Sequence, residues 1–254
     1  MESQNNILYD IFVKRIGITD DSFMITKRIK DIYKPFQLVK QESNQLVKVD
    51  YDKFISNNKL ITIKKPKQVI LDGRIILADI YKDMATYNNI LGSNSIFQID
   101  GNHITIPIEE TKSEYLNYYG VKLIEHNEIF NLNNKLEIAL YEMDIGKKYF
   151  DGFLLKQNYG NGLYIESHDL PHYYFTNNNK SSGYLIIGEK TDSGFGLTAF
   201  ELGLNRIVYI PPYVYHCDGC LVGEYDVIYG KTDNYITYFI HDREGKVVEV
   251  SYRS

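Results

Sequence analysis

Hydrophobic and polar positions in this chain change places over short distances for most of its length. From about residue 60 the segments LITI (60–63), QVILDGRIILADIY (68–81), SIFQIDGNHITIPI (95–108) and VKLIEHNEIF (121–130) are rich in β-branched residues and separated by Asn, Gly and Asp. Such runs predict strands. Asp72-Gly73 and Asp100-Gly101-Asn102 predict tight hairpin turns, and SEYLNYYG (113–120) predicts a helical insert closed by Gly120. The pattern continues through KLEIALYEMD (135–144), NGLYIES (161–167), GYLIIGEK (183–190), GLTAFEL (196–202), RIVYI (206–210), YDVIYG (225–230), YITYFIHD (235–242) and KVVEVSY (246–252). Many short strands without intervening helices predict an antiparallel sandwich or a closed barrel.

The first sixty residues differ. Ile7, Ile11, Val13 and Ile16, then Phe23, Ile25, Ile29, Ile32 and Tyr33, recur at mixed helical spacings. Asp20, Asp21 and Ser22 are suited to cap a second helix that Pro35 ends, and VDYDKFISNN (49–58) fits one more short helix. The expected organisation is an N-terminal helical arm over 1–58 and a β-rich segment over 59–134 that packs on or extends a barrel. The barrel itself is expected over 135–254.

Composition narrows the function. The 254 residues carry a net charge of −5, so there is no basic excess to neutralise a nucleic-acid backbone. The basic stretch Lys59 to Lys67 is short and reads as a solvated loop. No apolar run approaches the roughly 18–20 residues that span a bilayer, and the N-terminus lacks the layout of a secretion signal. The two cysteines are three apart and cannot staple distant segments. A soluble cytoplasmic protein is expected, with no nucleic-acid or membrane partner.

Candidate chemistry gathers in two places. In ESHDLPHYYFTNNNKSSGYLIIGEK (166–190) a Pro-His pair opens a strand, and period-2 alternation puts His172 and Tyr174 on one face. In IVYIPPYVYHCDGC (207–220) two prolines interrupt a β pattern, and His216 ends the next short strand. Proline cannot donate to a sheet ladder, so the pair marks a break that aims the next strand. His168, His172 and His216 offer three imidazoles, with Glu166 or Glu201 as a carboxylate, a set suited to Zn, Fe, Mn or Ni. On one strand His168 and His172 would lie about 13 Å apart by the strand rise. A shared metal therefore requires Asp169-Leu170-Pro171 to turn. Cys217 and Cys220 read as bystanders of an Asp218-Gly219 turn, since no helix comes after them.

These two stretches resemble the motifs of the cupin superfamily. DLPHYYF and SGYLIIGEK look like the first motif with His172 at its first histidine, and IPPYVYH looks like the second, with five residues from Pro211 to His216. Tyr174 stands at the second histidine, Ser181 or Ser182 near the metal-binding glutamate, and Tyr213 at a small residue. An alternative alignment from Gly162 lands on His168 and leaves Leu170 at the second histidine.

The resemblance implies a mainly β fold with a jelly-roll (double-stranded β-helix) barrel. It also implies a small-molecule enzyme, first an isomerase, epimerase or lyase acting on a sugar or sugar phosphate. In that chemistry His172, Tyr174 and His216 are catalytic, transferring protons without metal. Tyr184, Tyr209 and Tyr213 are then candidates to stack on a sugar. The alternatives are a metal-dependent oxygenase using His168, His172, His216 and Glu166, and a non-catalytic binding protein. The partners expected are a small-molecule ligand and at most a second copy of the chain.

Overall fold

A computed structural model describes residues 11–42, 45–49, 62–77, 94–132, 135–176 and 178–254. Strands make up 54% of it against 6% helix, which makes the class mainly β. The chain begins with β1 (Lys14–Ile16), β2 (Phe23–Tyr33), β3 (Leu38–Glu42), β4 (Gln45–Lys48), β5 (Val69–Leu77), β6 (Asn94–Ile99) and β7 (His103–Glu109). A short helix α1 (Ser113–Leu116) precedes β8 (Lys122–Ile124), β9 (Ile129–Asn131), β10 (Ile138–Ile145), β11 (Tyr164–His168), β12 (His172–Phe175) and β13 (Ser182–Gly183). Then come β14 (Leu185–Lys190), β15 (Gly194–Phe200), β16 (Ile207–Ile210), β17 (Tyr215–Cys217), β18 (Leu221–Tyr229), β19 (Tyr235–His241) and β20 (Glu249–Arg253). Among the described residues no helix is long and apolar enough to cross a membrane.

Seven strands close a barrel in the order β14-β17-β11-β19-β6-β5-β15, with β15 pairing back to β14. Closure leaves no unpaired edge around the ring, and β7 and β20 extend the sheet from β15. A second sheet runs β1-β2-β10-β18-β12-β16-β8, with β13 also on β18. The small sheet β4-β3-β9 accompanies a second apolar cluster that includes Tyr33, Val39, Phe130, Tyr173 and Ile228.

Aromatic rings fill the barrel. Phe195 meets Phe97, Tyr215 and Tyr238 at centroid separations of 4.9, 5.2 and 5.4 Å, contacts that join β15, β6, β17 and β19 across the ring. Successive strand residues point to opposite faces. His216, next to Tyr215, and Phe239, next to Tyr238, therefore face outward, where the second sheet packs. The space between barrel and second sheet is where the functional cluster forms.

The N-terminal helical arm is corrected. Residues 14–16, 23–33, 38–42 and 45–48 are strands, and the expected helix over 49–58 lies almost entirely outside the described residues. The reason is two bulges in β2. Its partners on β10 pair Ile145, Met143, Tyr141 and Ala139 with Met24, Thr26, Ile29 and Ile32, skipping one residue twice. Inward positions are thus spaced two, three and three apart, and two steps of three imitate a helical face. An extra residue in one strand does this to any alternating pattern. Asp20, Asp21 and Ser22 cap no helix; they turn the chain from β1 to β2, with Ser22 N–H donating to Thr19 O at 2.9 Å.

One expected hairpin is also corrected. Gly73 lies inside the continuous strand β5, and a Cβ there would sit 2.4 Å from the Gln98 carbonyl oxygen. This glycine serves close strand approach rather than a turn. Gly101, at φ 87°, does make a turn, but β6 and β7 pair with other strands. Gly120 closes the helical insert at φ 76°, as its position predicts.

Gly183 combines φ 86° with a Cβ position only 2.2 Å from the Cys220 carbonyl oxygen. Gly183→Ala is expected to cost at least about 2 kcal/mol, since strain and clash add. Urea denaturation reads this directly, and an unchanged midpoint would contradict the assigned β13–β18 contact.

Candidate metal centre

The site is assembled by alternation on three strands. On β11, Tyr164, Glu166 and His168 share one face, and Glu166 lies directly opposite His216 on β17. From the second sheet, β12 presents His172 and Tyr174 on its inner face. Asp169-Leu170-Pro171 carries the chain from the barrel to that sheet. The turn brings the His168 and His172 rings to 4.4 Å, in place of the long separation a single strand would impose. His216 completes the group at 5.1 Å from His168 and 5.0 Å from His172. One ring nitrogen from each residue lies within 4.8 Å of the others, close enough for all three to hold one metal ion.

The Pro-Pro loop fixes the third imidazole. Tyr213 N–H donates to the His168 carbonyl at 2.8 Å, stitching the loop to the end of β11. Tyr213 is 63% exposed and sits at φ 67°, the conformation that favours glycine. Left-handed backbone costs a non-glycine residue about 1–2 kcal/mol, close to the chain entropy a glycine gives up. Tyr213→Gly should therefore change stability by less than about 1 kcal/mol, whereas β-branched Tyr213→Val should cost about 2 kcal/mol. Chemical denaturation of the pair tests this. Equal stability of the two variants would show that no left-handed residue is required there.

Hydrogen bonds set the ring nitrogens. His216 Nδ1 donates to the Val214 carbonyl at 3.0 Å, which leaves the Nε2 lone pair facing Glu166 Oε1 at 3.5 Å. His172 Nδ1 lies 2.6 Å from the Tyr174 hydroxyl. Neither ring nitrogen of His168 completes a hydrogen bond, although the Leu170 backbone lies beside the ring, and His216 Nε2 also lacks a partner. Buried polar atoms without partners are rare and cost about 1–3 kcal/mol each. Neutral His168 carries its proton on one of these nitrogens, so the three comprise two bare lone pairs, the form in which imidazole ligates a metal.

Electrostatics point the same way. Burial, then the neighbouring His216, pushes the His168 imidazole down to about 3. Burial and two adjacent rings hold His172 well below the usual range, and burial lowers His216. All three rings are neutral near pH 7, the state in which imidazole ligates metal. Glu166 is raised to about 8 by burial, then by the Asp218 carboxylate, with Arg15 opposing. Burial also pushes the Tyr174 phenol well above its ordinary range.

Other expected residues lie elsewhere. Tyr209 pairs with Tyr173 on the far face of β12, centroids 4.7 Å apart, and Tyr184 packs on Tyr252 at 4.5 Å. Tyr209 does not face the imidazoles, because alternation turns Tyr173 away from the face that carries His172. Of the three expected sugar-stacking tyrosines only Tyr213 adjoins the cluster. Glu201 is exposed beyond the end of β15. Cys217 and Cys220 are free and buried, and burial pushes the Cys217 thiol up. Lys64 pairs with Glu114 at 3.0 Å, and Lys65 lies over the Tyr118 ring, so the basic stretch is partly neutralised.

Three residues around the cluster lie outside the expected site residues. Tyr164 and Asp218 hydrogen-bond to each other, and both stand two positions from a cluster residue, so alternation alone could have singled them out. Arg15 enters from the edge strand β1 and donates to the Tyr149 hydroxyl at 3.1 Å while 7% exposed. Nothing in its local pattern distinguishes it from a surface arginine. Compared with known protein families and with curated proteins, the chain matches no family model and no curated protein.

Proposed function

We propose that this protein is a mononuclear metal enzyme that acts on a small molecule. His168, His172 and His216 hold a divalent transition metal, and Glu166 is the fourth ligand. The observation that carries this is the convergence of three neutral imidazoles from two sheets, two buried and one half-buried, with one ring nitrogen of each within 4.8 Å of the others. Three imidazoles and one carboxylate suit Zn, Fe, Mn or Ni. The outer contacts of His216 and His172, one to a backbone carbonyl and one to a phenol, are of the kind that orient metal-bound histidines.

The metal-free alternative, proton transfer by His172 and Tyr174, has weaker support. Tyr174 is fully buried, its phenol is pushed far from neutral pH, and its hydroxyl already joins His172 to Asp218. A general acid works best with a pKa near the working pH and within reach of the ligand. His172 and Glu166 are the partly exposed members of the cluster, whereas Tyr174 is sealed from solvent. The bound metal supplies Lewis-acid chemistry if redox-inert and oxygen chemistry if it is iron.

The order of strands supports a cupin-like relationship. The pairs β11–β19, β12–β18 and β14–β17 nest inside one another, as in a ribbon folded back on itself. The cluster lies where the two sheets of such a fold meet. Element-resolved analysis of purified protein, before and after chelation and reloading, is the deciding experiment. About one metal per chain, restored by reloading, is the expected result. A chain that takes up none overturns the proposal.

A further inference from the structure

The hydrogen bonds around His172 involve a residue that belongs to no ligand set. The Tyr174 hydroxyl lies 2.6 Å from His172 Nδ1 and 3.2 Å from Asp218 Oδ2. It has one proton to give. If that proton goes to His172, the imidazole must carry its own on Nε2, and His172 then has no lone pair there for a metal. If it goes to Asp218, the phenol oxygen accepts from His172 Nδ1–H and Nε2 is left bare. The carboxylate, which can only accept, decides between the two.

We infer that Asp218 is a positioning residue that fixes the tautomer of His172 through the Tyr174 hydroxyl, and so readies His172 to ligate metal. The inference rests on the proposed metal centre. The local structure favours it in three ways. Asp218 is held in place from its other oxygen by the Tyr164 hydroxyl, so both carboxylate oxygens accept from phenols. The buried Arg15 guanidinium lies close enough to attract the Asp218 carboxylate and balances its negative charge in the same interior. Gly219, next in the chain, has a Cβ position 2.9 Å from Leu154 and 3.1 Å from Tyr164, so the turn bearing Asp218 is packed tightly. The arrangement is a carboxylate–histidine pair with a phenol inserted, and outer partners of metal-bound histidines usually matter 10–100-fold in affinity.

Asp218→Asn is the informative change because it keeps size and shape while adding a donor. The amide can donate to the Tyr174 oxygen, which releases the phenol proton toward His172 Nδ1 and moves the imidazole proton to Nε2. Long-range ¹H–¹⁵N spectra of the metal-free protein should show His172 protonated on Nδ1 in the wild type and on Nε2 in Asp218→Asn. Co²⁺ affinity, monitored by its visible absorption, should fall 10–100-fold in Asp218→Asn and similarly in Tyr174→Phe. The two losses should not add in the double variant, because both act through one contact. Tyr174→Phe also serves if Asp218→Asn folds poorly. A wild-type His172 protonated on Nε2, or an Asp218→Asn variant with unchanged tautomer and Co²⁺ affinity, overturns the inference. Failure of wild-type protein to take up Co²⁺, with the tautomer shift intact, overturns the metal centre instead.

Discussion

His216→Ala is expected to abolish stoichiometric metal uptake while leaving the barrel folded. His216 is 1% exposed and touches both other rings, so its loss leaves two imidazoles and a carboxylate on a cluster built for more. The affinity loss should reach at least about 100-fold, the upper end of what losing an outer partner costs. The fold should lose far less. Truncating a buried ring leaves a cavity, but it also removes a nitrogen that is buried without a partner, and the two terms of about 1–3 kcal/mol oppose each other. Stability of the metal-free variant should thus lie within about 2 kcal/mol of the wild type. Metal at a hundred times its dissociation constant should stabilise the wild type by about 2.7 kcal/mol and the variant by almost nothing. Thermal scans with and without metal measure both quantities. A variant stabilised as much as the wild type would sink the ligand assignment.

Legibility of the sequence tracked how regular each strand is. Strands β10, β11, β14, β15, β16 and β19 are legible as short, uninterrupted runs of apolar and β-branched residues bounded by turn residues. β2 was not, since its two bulges convert alternation into steps of three, and a local pattern cannot separate that from a helix. Gly73 misled for a related reason: in a sequence, a glycine that permits close approach looks the same as one that permits a turn. The difference depends on Gln98, a residue 25 positions away that only the folded sheet brings near.

The cluster was more legible than the arm that precedes it. His168, His172 and His216 stood out by rarity and by the proline-bounded turns around them. What the sequence withheld was the side of the strands on which they meet. Alternation relates His216 to Tyr215 but does not say which of them faces the barrel interior; the aromatic cluster around Phe195 takes that interior, and the imidazoles are left to the sheet interface. The same logic places Tyr209 beside Tyr173, on the face of its sheet away from the imidazoles. Arg15 had no local signal at all, since its burial comes from β1 lying against β2, a contact between separate strands.

Glu166→Gln should make the metal-free protein more stable at neutral pH and the metal-loaded protein less so. The folded-state pKa of Glu166 is raised from 4.5 to about 8, mainly by burial and then by Asp218. A raised carboxyl contributes stability below its unfolded pKa and loses it as pH climbs through the folded value. At pH 7 the unfolded chain has released this proton and the folded chain still holds it, a difference on the order of 3 kcal/mol against folding. Glutamine keeps the shape of the protonated acid without that cost. The variant's advantage should be on the order of 2–3 kcal/mol at pH 7–8 and vanish toward pH 4.5. Buried His168, lowered to about 3, acts in the opposite direction, removing stability as pH falls below about 6.5. That loss is common to both proteins, so the difference between them isolates Glu166. Metal reverses the order, because a carboxylate beside a cation is stabilised where a carboxamide is a weaker, neutral ligand. Urea titrations at pH 4.5, 7 and 8, chelated and metal-loaded, give the four curves needed. Equal stability of the chelated proteins at pH 7–8 would mean that the Glu166 carboxyl is not raised, and a metal-loaded variant as stable as the loaded wild type would remove Glu166 from the ligand set.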